Sequence, residues 1–368
     1  MMACRGDIQR CQSAVLYRIG ESHKIETARA IAHGKCPKLF ALFSVTAIGL
    51  IAQVGARASE HAADWVLEGE AAWQARACQG ECVYRDQLWI LGGWLKANEA
   101  PQRDVWSSAD GREWKLVTKS APWVHSDLPM AIAFKDRMWM MGGWHDGPAP
   151  GRSASHQVWS STDGADWRQV TTAAAWSPRI AAGLVEFRGL MWLLGGIEGY
   201  YAGDDTKLKN DVWSSADGKE WKLETAHAGW SPRAYHQAVV LDGKIYVFGG
   251  GISKQAKNDV WSSRDGVSWT CEAEAAPWLP RVWFSAAVYR NRLWVLGGSR
   301  GQDTLGDVWH SKDGRIWQRL ETKTTWQARY EHSAFVFQDK LWIAGGLRRP
   351  LSLSNEVWSL NLPENWKP

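Results

Sequence analysis

Short apolar runs recur along the chain, and each one ends in a pair of glycines. Examples are Leu88-Trp89-Ile90-Leu91 before Gly92 and Ile245-Tyr246-Val247-Phe248 before Gly249. Apolar runs of about four to eight residues between turn sequences are typical of buried β-strands. The glycine pairs follow one another at intervals of 48 to 54 residues, which indicates a repeat architecture. The six pairs begin at Gly92, Gly142, Gly195, Gly249, Gly297 and Gly345.

Tryptophan occupies fixed positions in this repeat, and the chain contains 27 tryptophans. A Val-Trp pair follows each glycine pair, a second tryptophan comes eight residues later, and a Trp-x-x-Arg element opens the next unit. Five of the Val-Trp pairs are followed by the turn sequence Ser-x-Asp-Gly. Each such ring buries roughly 150–250 Å² in a folded protein. We therefore expect the 23 tryptophans at repeat positions to pack between neighbouring sheets.

Four short strands fit into each unit, separated by turn dipeptides such as Asp242-Gly243. Four-stranded units repeated around an axis form a β-propeller, which leaves only short, protected sheet edges. The sequence predicts an all-β fold, a six-bladed β-propeller with four antiparallel strands per blade, over residues 59–368. Two segments resemble the outermost strand of the sixth blade, Asp64-Trp65-Val66-Leu67 and the residues around Trp366. Closure by the N-terminal segment is favoured, because propellers commonly close in that way.

The unit resembles the kelch repeat, which combines a glycine pair after an aliphatic and aromatic strand with a downstream tryptophan at a period near 50 residues. The resemblance covers about 300 residues from Trp65 onward and implies the propeller fold. Within this superfamily the chain also looks like bacterial exported propellers of the galactose oxidase and N-acetylneuraminate epimerase types. The Ser-x-Asp-Gly-x-x-Trp element resembles the Asp-box of sialidases, although it is one residue short.

The first 58 residues differ from the rest in charge and hydrophobicity. Of the 43 Lys/Arg and 39 Asp/Glu in the chain, this segment holds eight and three, which leaves 35 and 36 in the remainder. A near-neutral body argues against nucleic acid as a partner, since phosphate binding needs a basic surface. The apolar run 39–52 and the sequence Ala56-Arg57-Ala58 predict a signal peptide cleaved after Ala58. A periplasmic or secreted protein without stable membrane insertion is expected. The 38 residues before the apolar run leave two alternatives open, a downstream translation start or an uncleaved anchor.

Strand connectivity separates the two faces of the disc. With strands lettered a to d from the central channel outward, the a–b and c–d turns share one face, and the b–c and d–a connections share the other. The distance from the tryptophan that opens each unit to its glycine pair is 19 residues in all six units. The b–c stretches vary, and they are longest at 94–103, 144–156 and 197–210. Variable loops on a fixed scaffold usually carry binding, so the b–c face is the predicted binding face.

Two sets of side chains on that face are candidate ligand-binding residues. In kelch domains, Arg and Ser near the start of the innermost strand often line the ligand pocket. This resemblance implicates Arg76, Arg179, Arg233, Arg281, Arg329 and Ser126. The alternative is that a repeated arginine caps strand ends or bonds carbonyl groups between blades. The second set is aromatic and departs from the repeat: Trp94, Trp144, Trp283, Tyr200 and Tyr201. Such a cluster suits stacking on a sugar ring or gripping a peptide.

His236 and His332 occupy equivalent positions in the fourth and sixth units. Together with Tyr235 and Tyr330 they loosely resemble the copper site of galactose oxidase. Packing or hydrogen bonding is the favoured interpretation of both histidines, and no metal or cofactor is expected. The only cysteine near the channel mouth is Cys78, and no tyrosine is clearly placed beside it.

The predicted function is a binding module for a glycan or an extracytoplasmic protein, which uses the b–c face. A carbohydrate-active enzyme on the same face is the alternative, most plausibly a sugar epimerase or mutarotase and less so a copper oxidase or sialidase. Such an enzyme needs acid–base groups in a pocket. The sequence offers His236, His332, Glu331, Asp127 and Asp146 for that role. A scaffold that binds no small ligand is a third possibility.

Overall fold

The computed structural model describes residues 63–147, 151–199 and 205–366. Within these ranges six four-stranded antiparallel sheets follow one another along the chain, which confirms the six-bladed propeller. The predicted leader and its cleavage motif lie outside the described residues. In the described part of the chain, no helix is long and apolar enough to cross a membrane.

The strands run in chain order from the channel outward in blades one to five, whereas the first strand of the chain is the outermost strand of blade six. The chain first forms β1 (Asp64–Glu70), which belongs to blade six. Blade one contains β2 (Gly80–Tyr84), β3 (Gln87–Gly93), β4 (Gln102–Ser108) and β5 (Lys115–Thr118). Blade two contains β6 (Met130–Phe134), β7 (Arg137–Met141), a small hairpin of β8 (Trp144–His145) and β9 (Ser153–Ala154), then β10 (Val158–Ser161) and β11 (Arg168–Thr171).

Blades three and four each carry a short 3-10 helix in the b–c connection. Blade three contains β12 (Gly183–Phe187), β13 (Leu190–Ile197), the 3-10 helix Asp205–Lys207, β14 (Leu208–Ser215) and β15 (Lys222–Thr225). Blade four contains β16 (Gln237–Leu241), β17 (Lys244–Phe248), the 3-10 helix Ser253–Gln255, β18 (Val260–Ser263) and β19 (Thr270–Ala273).

Blade five has the longest b and c strands, and blade six is completed by β1. Blade five contains β20 (Ser285–Tyr289), β21 (Arg292–Arg300), β22 (Asp303–Ser311) and β23 (Trp317–Arg319). Blade six contains β24 (Ser333–Phe337), β25 (Lys340–Ala344), a hairpin of β26 (Leu347–Arg348) and β27 (Ser352–Leu353), then β28 (Glu356–Asn361).

The b strands form the core of each blade. In β3, β13 and β25 every residue after the first is buried, because neighbouring blades cover both faces of the sheet. The a strands alternate instead. In β2, Gly80, Cys82 and Tyr84 are buried, whereas Glu81 and Val83 are half-buried, and of these two Glu81 lines the central cavity. This alternation decides which residues of each a strand can meet a ligand.

The N-terminal strand closes the ring. β1 pairs antiparallel with β28, with Trp65 opposite Leu360. Trp366, the other candidate, forms no strand and packs 5.8 Å from the ring centre of Trp294 in blade five. Each of the other five blades has an aromatic residue at the position of Trp294 in strand b. The glycine of the Asp-Gly turn in the next blade covers that aromatic ring; Gly164 of blade two, for example, covers Trp89 of blade one. Blade six lacks an Asp-Gly turn, so Trp366 covers Trp294 in its place.

Candidate functional site

The five arginines of the Trp-x-x-Arg elements are interior residues, with exposed fractions of 0–1%. Arg233 shows the pattern: its Nη1 and Nη2 donate to the two Asp259 carboxylate oxygens at 2.8 and 2.7 Å, and Nη1 donates to the Gly249 carbonyl at 2.9 Å. Asp259 also accepts a bond from the Trp261 indole at 2.8 Å. The corresponding ion pairs are Arg76–Asp104, Arg179–Asp211, Arg281–Asp307 and Arg329–Glu356.

These bonds correct the expectation that the arginines form a ligand-accessible ring at the channel mouth. Each arginine clamps strand c to the start of strand a inside its own blade, and none of them lines the central cavity. The structural alternative describes them better, because paired and fully buried guanidinium groups have no face left for a ligand. Each guanidinium, together with its indole and carboxylate neighbours, belongs to the blade core.

Blade two lacks both members of this ion pair, the arginine and the carboxylate. Ser126 stands at the arginine position, is fully buried, and donates to the Gln102 carbonyl. Gln157 stands at the carboxylate position and accepts the Trp159 indole bond at 3.3 Å. The arginine and its carboxylate are therefore replaced together. Ser126, like the arginines, is a structural residue.

Two positions after each arginine or Ser126, the backbone enters the left-handed region in all six blades. The φ angles lie between 52° and 59°, and none of the residues is glycine. These six residues, which we term the mouth ring, are Cys78, Leu128, Ala181, Tyr235, Trp283 and Glu331. Such a conformation costs about 1–2 kcal/mol for a residue with a Cβ. The repeat thus holds one strained backbone in place and varies its side chain from blade to blade.

Backbone hydrogen bonds between adjacent blades stabilise the mouth ring. The Leu128 amide donates to the Cys78 carbonyl at 2.9 Å, and the Cys78 amide donates to the Glu331 carbonyl at 3.2 Å. Between blades three and four, the Tyr235 amide donates to the Ala181 carbonyl at 3.1 Å. Between blades five and six, the Glu331 amide donates to the Trp283 carbonyl at 2.8 Å. These bonds fix the six side chains around the channel entrance.

The candidate tryptophans meet at this entrance. Trp283 lies edge-on to Tyr235 at 5.2 Å and tilted over Tyr330 at 5.7 Å. Trp144 belongs to an apolar cluster beside blades three and four, and Trp94 to another beside blades one and six. Both clusters contain Trp283, so the structure brings the three tryptophans together. All three are half-buried, not fully exposed. Tyr200 and Tyr201 lie outside the described residues.

A cavity of about 300 Å³ lies below the mouth ring, in the central channel. The first residues of strand a from all six blades line it, and of the candidate tryptophans Trp283 alone reaches it. Ligand pockets in proteins are commonly about 300–1,000 Å³, so this cavity suits one side chain or one small group.

His236 and His332 pack between blades. Their exposed fractions are 3% and 4%, and their rings lie 5.9 Å from Trp230 and 5.5 Å from Trp326. Burial lowers the pKa of each imidazole to about 3. Phe284 occupies the same place in blade five and packs 6.3 Å from Trp278. Both histidines therefore serve as neutral aromatic rings. Among the described residues, no group of three or more His, Cys, Asp or Glu could hold a metal ion.

Carboxylates surround one side of the mouth. Glu331 and Asp127 lie within hydrogen-bonding reach of the Cys78 thiol, and burial together with these two charges raises the pKa of that thiol. Cys78 is therefore a poor nucleophile, because thiolate is the reactive form. Asp146 is engaged elsewhere, in an ion pair with Arg152 at 2.7 Å.

Glu81 is a carboxyl group on the cavity wall, and sequence reasoning missed it. Burial in the channel raises the pKa of Glu81 to about 8, although bonds from Ser333 and the Ala334 backbone oppose that shift. The equivalent residues of the other blades are Ala131, Leu184, Ala238, Ala286 and Ala334. A superposition of the six repeats would have revealed this lone acid, and also the six different residues of the mouth ring.

Comparison with known proteins agrees with the architecture. No curated protein matches the chain. The model of the KLHDC2/KLHL20/DRC7 Kelch-repeats domain matches residues 129–346, more than half of the 368 residues. The narrower resemblance to exported galactose oxidase-type propellers stays a prediction. From its repeats and its six blades, the chain belongs to the kelch-repeat family, whose propellers are binding modules.

Proposed function

We propose that the protein is an exported binding module whose mouth ring and cavity capture a protein partner. The observation that carries this proposal is the mouth ring itself. One backbone conformation is kept in six blades while the side chains change from alanine to tryptophan. Binding surfaces commonly combine a rigid, repeated backbone with side chains that differ from one repeat to the next. Kelch domains generally bind other proteins, which supports this class of partner.

The composition of the cavity favours a peptide over a glycan. Blades two and three contribute an apolar wall from Leu128 to Ala131 and from Ala181 to Leu184. This wall is aliphatic and offers no polar side chain, so sugar hydroxyl groups that turned toward it would lack a side-chain partner. An amino-acid side chain with an apolar stem fits this wall. Aromatic anchors such as Trp283 are frequent hot spots of protein interfaces.

Selection from a displayed library of random peptides tests this function. We expect the full-length protein to enrich a peptide family, and Trp283→Ala to weaken its binding at least tenfold. Glu186→Gln is the matched control, because Glu186 is exposed near the opposite end of an a strand. A glycan array probed in parallel addresses the other ligand class. Peptide binding that is unchanged in Trp283→Ala, or binding to sugars alone, would overturn the proposal.

A second candidate is a sugar epimerase or mutarotase on the same face. The observation in its favour is the pair of carboxylates, Glu331 and Asp127, beside the cavity. His236 and His332 do not support it, since both are packed against tryptophans. Proton NMR of N-acetylneuraminate anomers distinguishes the two functions. An accelerated anomer exchange that Glu331→Gln abolishes would establish the enzyme.

Export rests on the leader sequence. The apolar run 39–52 and the Ala56-Arg57-Ala58 motif support cleavage after Ala58. N-terminal sequencing of the mature protein should begin at Ser59. A protein that retains the leader would instead support the anchor alternative.

A further inference from the structure

The cavity below the mouth ring has two chemically different sides. Blades two and three supply only apolar side chains, as described above. The junction of blades six and one is polar: the Gln79 Nε2 donates to the Ser333 Oγ at 2.8 Å, and that hydroxyl donates to the Glu81 carboxylate at 3.3 Å. A ligand that fills the cavity must therefore combine an apolar stem with a polar end.

The polar side offers acceptors. Gln79 is 6% exposed and lines the cavity, and its Oε1 has no hydrogen-bond partner in the described part of the structure. A buried acceptor without a donor is unfavourable by about 1–3 kcal/mol. Glu81 also lines the cavity. Protein atoms cover the Gln79 Oε1, so Glu81 is the acceptor that a donor on the ligand can reach.

The cavity is lined by acidic side chains and by no basic side chain that carries a charge. Its lining includes Glu81 and Glu331 and contains no lysine or arginine. The two lining histidines stay neutral because burial lowers the pKa of each to about 3. The nearby arginines are paired with carboxylates inside the blades. Once Glu81 is ionised, this narrow channel favours a cation over a neutral group or an anion.

We propose that the cavity binds a cationic side chain, a primary ammonium or guanidinium on an unbranched alkyl stem, with Glu81 as its counter-ion, held in place through Ser333 and Gln79. This inference rests on the proposed function, and it names the anchor of the partner as a lysine or arginine side chain. The stem packs on the apolar wall of blades two and three. At the entrance, Trp283 adds a cation–π surface within the same channel.

Isothermal titration calorimetry with the full chain tests the inference, using n-butylammonium and n-butylguanidinium as side-chain mimics. We expect one or both cations to bind with a millimolar Kd. Tighter binding of n-butylammonium would indicate a lysine anchor, and tighter binding of n-butylguanidinium an arginine anchor. The neutral 1-pentanol and the anionic pentanoate should bind at least tenfold more weakly. Glu81→Gln should weaken the cations at least tenfold, whereas Glu186→Gln should not.

The pH dependence provides an independent readout. Because the pKa of Glu81 in the empty cavity is about 8, a bound cation must displace a proton below that pH. Affinity should therefore rise about tenfold per pH unit from pH 6 to pH 8 and then level off. The other titratable groups on the cavity wall are Cys78, Tyr235, Glu331, His236 and His332. In Glu81→Gln the slope should vanish.

A cavity-filling variant guards against misfolding of Glu81→Gln. Ala286→Leu copies Leu184 of blade three at the equivalent position, so the fold tolerates it, and it should exclude both cations by size. Equal binding of 1-pentanol and the cations, or cation binding retained in both variants, would refute the inference. If no cation binds while Trp283→Ala still loses the selected peptides, the proposed function stands and only the cationic anchor is wrong.

Discussion

Trp65 lies edge-on to Trp326, with ring centres 5.9 Å apart and ring planes at 87°. In all five other blades the same arrangement is made by two tryptophans of one repeat, as in Trp73 with Trp114. Blade five makes it with Trp278 and Trp317. Blade six thus takes its second ring from the opposite end of the chain, and the ring closes through an aromatic contact as well as through strand pairing.

Closure should depend on Trp65 more than on Trp366. Trp65 is 2% exposed, whereas Trp366 is half-buried against Trp294. We expect Trp65→Ala to lower the free energy of unfolding by about 3–5 kcal/mol, the usual loss for a buried tryptophan. Trp366→Ala should cost less than half as much. Urea denaturation followed by tryptophan fluorescence measures both, and equal losses would contradict this account of closure.

The arginine clamp should behave as a unit. Arg233→Ser alone leaves the half-buried Asp259 without its partner and should cost about 3 kcal/mol. The double variant Arg233→Ser with Asp259→Gln copies Ser126 and Gln157 of blade two, and it should lose less than the sum of the single variants. A double-mutant cycle by chemical denaturation gives the coupling. Additive losses would show that the two side chains do not act together.

Acid should destabilise the protein through its buried histidines. Burial holds the pKa of His236 and His332 at about 3, well below the value near 6.5 of an unfolded chain. Unfolding therefore takes up protons below pH 6.5, and the stability present above that pH is lost progressively toward pH 3. The double variant His236→Phe and His332→Phe, which copies Phe284, should flatten the dependence of Tm on pH between 6.5 and 4. An unchanged slope would assign acid sensitivity to other groups.

Strain in the mouth ring can be measured at Ala181. Its φ of 53° disfavours a residue with a Cβ, so Ala181→Gly should raise the free energy of unfolding by about 1 kcal/mol. The matched control is Ala182→Gly at the next position, where φ is not positive, and it should destabilise by about 0.5–1 kcal/mol. Two substitutions of the same kind would then have opposite signs. A loss of stability in both would show that Ala181 carries no strain.

The sequence was sufficient for the architecture. Strand b, the glycine pair and the tryptophans repeat at a nearly constant period, and each blade can be completed only by its neighbours, so a closed ring follows. The joint loss of Arg and Asp at Ser126 and Gln157 was also readable, because both partners lie within one repeat. This joint replacement indicates that the repeated arginine pairs with the carboxylate of its own blade and does not line a pocket.

The tertiary structure alone decided which side chains meet in the channel. Glu81, Gln79 and Ser333 come from opposite ends of the chain, and the mouth ring takes one residue from each blade. No local pattern links positions about 50 residues apart that share no strand. Their contact depends on ring closure and on the side of strand a that faces the axis. The repeat therefore specifies the scaffold. The chemistry of the cavity depends on the residues that differ between repeats, and ring closure brings these residues together.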